Sequence, residues 1–233
     1  MHHLLDQVLA DRPCLLAVAA PKEVEAVLGS VGTPSQGAPA PWETVVCGSR
    51  LHVVRTGVGK ANAAGAVARA LAMHDYASVL SLGIAGALPH ASPLGIGQSL
   101  MADPCILADD GLGTPAGFAS QSEMGFPTHE RLGERFAADA GLASVLSGTV
   151  DRIGPCATVS TCSGTEALAQ EVAARTGALA EDMESAAVGL VAARLGVPFA
   201  SLRVVSNRTG DRDQQCWDLE AALSRLADLA SVL

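Results

Sequence analysis

The chain has 233 residues, 49% of them apolar, and a formal net charge of −9, with lysine only at Lys22 and Lys60. This suits one large α/β domain over residues 1–233 and lacks the clustered cations of a nucleic-acid surface, leaving a small molecule as the expected partner. A membrane span or secretory leader is not expected, since no run nears ~18 uninterrupted apolar residues and acids interrupt the amino-terminal apolar stretch, and six cysteines without C-x-x-C spacing read as reduced thiols of a cytoplasmic protein.

Cys14 to Ala19 reads as a strand, and Pro21 opens a helix whose first turn carries Glu23 and Glu25. Either acid is a plain first-turn residue or a general base at the mouth of a sheet. Gly29 to Trp42 is a surface connection. The strand Leu51 to Arg55 runs through Thr56-Gly57-Val58-Gly59-Lys60 towards a helix over Gly65 to His74. That turn is not a phosphate loop, because Val54 holds the first glycine position and Ala61 the place of the metal-binding hydroxyl. Its glycines instead let backbones approach closely.

Val79 to Leu82 is a strand that ends on Gly83-Ile84-Ala85-Gly86. The G-x-G-x-x-G order is absent, which leaves bare backbone at the carboxyl end of a strand, where α/β sheets bind ligands. Ser99 to Met101 continues the sheet. Gly111 to Gly133 is long and rich in glycine and proline, and its length predicts a lid over a site. Ala157 to Ser160 is a strand and Thr165 to Thr176 a helix. Ser163 lacks the leading glycine of a nucleophile elbow, and His2, His3, His52, His74, His90 and His129 have no ligand spacing, so no metal site is expected.

Met183 to Leu195 reads as a helix that is apolar on nearly every side and therefore buried. Glu181 and Asp182 fit its first turn, where the helix dipole favours acids. Glu184 differs: Met183, Ala186, Ala187 and Leu190 surround it, and an ionised carboxylate there needs donors, which two ribose hydroxyls would supply. Capping and function both remain open for it. Pro198 to Ser206 is an apolar strand ending on Asn207, which is either a turn residue or a site residue at the sheet's carboxyl edge. Leu219 to Leu229 is the last helix. The alternation predicts an α/β sheet covered by helices.

Taken in order, Glu23, Thr56 to Lys60 with Asn62, Gly83 to Gly86, Asp182 to Ala187 and Arg203 to Asn207 resemble the purine nucleoside phosphorylase and nucleosidase superfamily over nearly the whole chain. Ser206 to Asp213 followed by Trp217 is most similar to its futalosine hydrolases. The resemblance implies a three-layer sandwich with a central mixed, barrel-like sheet, cofactor-free cleavage of a glycosidic bond through an oxocarbenium-like transition state, a nucleoside substrate, and a homodimer or larger assembly. Carried over by position, Glu23 activates water with Glu25 as fallback, Glu184 holds the ribose 2′ and 3′ hydroxyls, and Met183 packs under the sugar. Ala85, Gly86 and Ser206 line the ribose and base, and Asn207 faces the leaving purine.

A departing purine is stabilised by hydrogen bonding at N7 as charge enters the ring. An amide can donate to a 6-oxo group and accept from a protonated N7, whereas the acid of methylthioadenosine nucleosidase suits a 6-amino group. Asn207 therefore points to hypoxanthine. Where family phosphorylases place anion-binding arginines, this chain has Pro21-Lys22-Glu23 and Ser81-Leu82-Gly83, and a carboxylate would repel phosphate. Water is the expected nucleophile. Arg208, Arg212 or the 111–133 lid are candidates for an acidic group beyond the 5′ carbon. Gln98 replaces the family's usual aspartate, and residues 158–165 lack the phenylalanine that stacks on the base in methylthioadenosine nucleosidase. A phosphorylase, a methylthioadenosine nucleosidase and a non-catalytic nucleoside-binding protein are the rivals.

Overall fold

Continuous apolar runs form the inner strands of this computed structural model, which describes residues 4–7, 11–32, 37–89 and 94–233. The strands are β1 (Cys14–Val18), β2 (Thr44–Cys47), β3 (Leu51–Arg55), β4 (Ser78–Ala87), β5 (Ser99–Leu107), β6 (Gly111–Thr114), β7 (Gly117–Ser120), β8 (Arg135–Phe136), β9 (Arg152–Thr158), β10 (Ala180–Asp182) and β11 (Phe199–Arg208). The helices are α1 (Pro21–Ser30), α2 (Lys60–Met73), α3 (Ala140–Leu146), α4 (Glu166–Thr176), α5 (Ser185–Leu195) and α6 (Leu219–Ser231).

The order β10-β9-β5-β11-β4-β1-β3-β2 makes one mixed sheet, with β8 paired to β5. Because β10 also pairs antiparallel with β4, through Ala180–Ala87 and Glu181–Gly86, strands β4, β11, β5, β9 and β10 close into a barrel. β1, β3 and β2 extend from β4 as an open wing. β1 is buried on both faces, as its unbroken apolar sequence requires. Leu15 and Ala17 pack with Ala63 and Val67 of α2 and Ala187 and Val188 of α5. Leu16 and Val18 pack on the other side with Val24 and Val27 of α1 and Leu226 and Leu229 of α6. Full burial of a Val or Leu is worth about 1.5–3 kcal/mol, and a one-residue slip would exchange the two faces, so the register is firmly set. The result is the expected helix–sheet–helix sandwich.

Several boundaries differ from the sequence reading. The α5 helix begins at Ser185, leaving Glu184 at the N-cap with φ −134° and ψ −38°. Glu181 and Asp182 are not first-turn acids but the end of β10, held there by pairing with β9 and β4. α2 starts at Lys60 rather than Gly65, and β5 runs on to Leu107. The 111–133 segment opens with the β6–β7 hairpin, and none of it lines the main cavity. The lid reading is therefore not met within this chain. His2, His3, His90 and part of the Gly29–Trp42 connection lie outside the described residues. No helix among the described residues is long and apolar enough to cross a membrane.

Candidate active site

A cavity of about 440 Å³ opens at the carboxyl ends of β4, β10 and β11, beside the turns that leave β1 and β3. Glu23 lies on its wall. Pro21 starts α1, and the Glu23 side chain folds back to accept hydrogen bonds from the Ala20 N–H (2.7 Å) and the Ile84 N–H (2.8 Å). Burial raises its pKa, while those two N–H groups and the Arg203 charge pull it back. The bare Gly83 backbone permits this approach, because a Cβ there would lie 3.0 Å from Glu23 Oε1. Glu25 points to solvent and does not reach the cavity.

Asp182 and Arg203 form a buried strut behind the wall. Arg203 Nε donates to Asp182 Oδ2 at 2.6 Å and Nη2 donates to Ser81 Oγ at 2.8 Å. Asp182 also accepts from Thr158 Oγ1 (2.6 Å), the Ser185 N–H (3.1 Å) and Ser185 Oγ. These partners are what make a buried ion pair tolerable, since desolvation otherwise outweighs attraction.

Glu184 sits between α5 and the Thr56–Lys60 turn. Its Oε1 accepts from the Gly59 N–H at 2.8 Å, and Gly59 has φ +97° at the N-cap of α2. The glycine turn that fails as a phosphate loop is thus an anchor for a carboxylate. Asn62 Nδ2 braces it by donating to Val58 O at 2.9 Å. Burial first, and then the neighbouring Asp182 charge, raise the Glu184 pKa from 4.5 to about 7. Gly59 is its one hydrogen-bond donor among the described residues, so most of its acceptor capacity faces the cavity. Met183 lies beside it on the cavity wall.

Asn207 is buried on the opposite side. A register shift between Val205 and Asn207 puts a bulge at Ser206, and such bulges re-aim side chains. Ser206 Oγ donates to Asn207 Oδ1 at 2.9 Å, and Asn207 Nδ2 donates to Arg208 O at 3.2 Å and Gln215 Oε1 at 3.4 Å. Gln215 is fixed in turn, its Nε2 donating to Gly210 O (2.8 Å) and Ser163 O (3.2 Å), its Oε1 accepting from Trp217 Nε1 (3.1 Å) and Arg212 Nη1 (3.1 Å). The network assigns the amide orientation. Gly86 and Ala85 supply bare or nearly bare wall beneath.

Arg212 and Trp217 line the cavity, with the guanidinium 4.9 Å from the ring centre. Arg208 is exposed and does not line it. Gln98 Oε1 accepts from the Gly95 N–H at 2.7 Å, a local turn contact. Gln215, Ser163 and Glu181 line the cavity too and were missed, because no local pattern marks a glutamine in a loop or an acid in a three-residue strand. Lys60, paired to Asp109 (2.5 Å) and Asp110 (2.8 Å), ties the Gly59 turn to the segment that follows β5, and Asp109 Oδ2 in turn accepts from the Ser160 N–H (2.6 Å) in the loop after β9.

A carboxylate with free acceptor capacity, a wall of bare or nearly bare backbone and a side-chain amide thus meet around one cavity. The chain belongs to the phosphorylase superfamily, whose family model matches residues 14–233. It is similar to futalosine hydrolase of Streptomyces coelicolor, with 35% identity over 233 residues and 94% of each chain covered. Futalosine hydrolase of Acidothermus cellulolyticus is 37% identical over 75% of this chain and 71% of that protein. Among solved structures, the 5′-methylthioadenosine/S-adenosylhomocysteine nucleosidase of Neisseria meningitidis in complex with methylthio-immucillin-A shares the fold, with a TM-score of 0.77, 19% identity and coverage of 95% and 98%. The futalosine hydrolase of Helicobacter pylori does so with a TM-score of 0.73, 18% identity and coverage of 94% and 95%.

Proposed function

We propose that this protein is a futalosine hydrolase, which cleaves the N-glycosidic bond of futalosine with water and releases hypoxanthine in the cytoplasm, as a step of menaquinone biosynthesis. The observation that carries the proposal is the meeting of Glu23, Glu184 and Asn207 around one cavity in a chain 35–37% identical to three futalosine hydrolases. Glu23, held by two backbone N–H groups, stands where a phosphate dianion would otherwise bind and favours water as nucleophile.

The chemistry follows from the positions. The ionised Glu184 accepts from the 2′ and 3′ hydroxyls, and Met183 packs against the sugar. As the bond to N9 breaks, positive charge grows on the ribose, and the carboxylates of Glu23, Glu184 and Asp182, offset in part by Arg203, stabilise it. Water adds to the anomeric carbon and gives its proton to Glu23. The electron pair leaves on the purine, which takes up a proton at N7 from solvent water, and Glu23 returns the proton it gained to solvent. Asn207 Oδ1 has a lone pair left beside the Ser206 bond to accept from N7–H, and Nδ2 donates to O6 by exchanging its 3.4 Å contact with Gln215 Oε1 for the base. Arg212 on Trp217 is the cation for the 5′ aryl carboxylate, the role that Arg208 is too remote to fill. The working form is a homodimer or larger homo-oligomer, which light scattering of the purified protein tests directly.

The deciding assay incubates the protein with futalosine, inosine and methylthioadenosine, with and without phosphate, and identifies the base and sugar released. Hypoxanthine from futalosine without phosphate is expected. Phosphate-dependent cleavage, or adenine release exceeding hypoxanthine release, would overturn the proposal, and no cleavage of any substrate would favour a binding protein.

A further inference from the structure

Of the carboxylates that line the cavity, Glu181 has no part in the chemistry above, yet it is buried and faces the ligand space. Its place in the sheet is informative. Gly86 on β4 pairs with Glu181 of β10 on one side and with Asn207 of β11 on the other. Residues in register on neighbouring strands point to the same face, at about 4.8 Å per strand. Glu181 and Asn207 therefore flank Gly86 at a separation of roughly two strand spacings, about 10 Å between backbones, and both line the cavity. Thr209 and the Asn207 amide pack directly on the glycine, where a Cβ would lie 2.8 Å from Thr209 Cγ2 and 3.4 Å from the Asn207 amide.

The two side chains are also joined by hydrogen bonds. Asn207 donates to Gln215, Gln215 donates to Ser163 O, and Ser163 donates to Glu181 through its N–H (2.8 Å) and Oγ (2.6 Å). Ser163 takes one acceptor site on each Glu181 oxygen, which leaves two of the four free. We propose that Glu181 is a specificity residue that reads the purine edge opposite Asn207, accepting a hydrogen bond from N1–H of a 6-oxopurine. This rests on the purine-nucleoside reading of the cavity. A 6-oxopurine carries a hydrogen at N1, whereas a 6-aminopurine presents a lone pair there, which a carboxylate repels. Sites that leave a buried polar group unpaired reject the wrong ligand strongly.

The test compares futalosine with its 6-amino analogue in the wild type and in Glu181→Gln, whose amide retains an acceptor for Ser163 and gains a donor for N1. The expected result is a fall of about 10-fold or more in kcat/KM for futalosine, a smaller loss or a gain for the 6-amino analogue, and thus a change in the ratio of at least about 10-fold. A structural role alone would lower both equally. Equilibrium binding of hypoxanthine, 1-deazahypoxanthine and adenine to the wild type supplies a readout independent of catalysis and of the variant's folding. The 1-deaza base, which lacks the N1 donor and carries its tautomeric hydrogen on N3 or O6 instead, should bind about 10-fold or more weakly than hypoxanthine. An unchanged ratio in a folded variant, or equal binding of the two bases, overturns the role of Glu181. Failure of the wild type to cleave or bind any purine overturns the functional reading beneath it as well.

Discussion

Replacing Glu184 with glutamine separates the stability of the fold from the grip on the ligand. Burial and the Asp182 charge raise this carboxyl from 4.5 to about 7. A group whose folded pKa lies above its unfolded value contributes stability that is fully present below about 4.5 and lost as pH rises through about 7. A difference of that size is worth about 3 kcal/mol, which is the cost of holding the ionised Glu184 in the free protein at pH 8. Glutamine keeps the oxygen that accepts from the Gly59 N–H and carries no charge. Glu184→Gln should therefore melt several degrees above the wild type at pH 8, given about 2–4 °C per kcal/mol for a chain of this size. At pH 5 the wild type is mostly protonated, and the advantage should shrink below about 1 kcal/mol. Hydrolysis should fall about 10²-fold or more, because the new amide presents hydrogens to hydroxyls that also need to donate. Scanning calorimetry at the two pH values, with hydrolysis measured on the same samples, decides. A variant less stable than the wild type at pH 8, or stabilised equally at both, would refute the burial argument.

Glu23→Gln should lower kcat by about 10²-fold or more through loss of the general base, while Glu25→Ala leaves kcat and KM near wild type, since its side chain points to solvent; steady-state kinetics compares them. Asn207→Asp should reduce hypoxanthine release far more than Glu25→Ala does, because a carboxylate cannot donate to O6, and chromatography of the released base measures it. Gly86→Ala places a methyl 2.8 Å from Thr209 Cγ2 and should cost about 1–3 kcal/mol in urea unfolding by overpacking, with a concurrent loss of activity.

Long elements with strong local patterns were legible in the sequence. The unbroken run of β1, the apolar helix α5 and the strand that stops on Asn207 all announce themselves by composition. The wall of the cavity was less so. Glu181 and Asp182 follow a helix and precede one, and their local sequence fits an acidic first turn as well as a strand. Only closure of the barrel, with β10 held between β9 and β4, makes them strand residues facing a cavity. The choice of Glu23 over Glu25 was equally invisible locally, because it depends on the Ile84 N–H, 61 residues away in the chain. The lid reading of 111–133 failed for a related reason: length and glycine content identify a long excursion without fixing which side of the sheet it covers.

The site's charge balance has a measurable consequence of its own. Glu184 is raised by burial and by Asp182, and lowered by Arg203 and by the Gly59 N–H. Arg203 is itself engaged by Asp182 at 2.6 Å, so Asp182 affects Glu184 twice, once by direct repulsion and once by occupying the nearest cation. Asp182→Asn removes the repulsion and leaves Arg203 to act on Glu184 and Glu23 alone, while the new side-chain oxygen can still accept from Thr158 or Arg203. Both effects have the same sign, so the Glu184 pKa must fall. If hydrolysis requires ionised Glu184 in the free enzyme, the acidic limb of kcat/KM against pH should move to lower pH in Asp182→Asn, by about one pH unit for each 1.4 kcal/mol of repulsion removed. An acidic limb that stays in place would mean that another group, with Glu23 the first candidate, governs it, and a limb that moves upward would contradict the electrostatic account of the site.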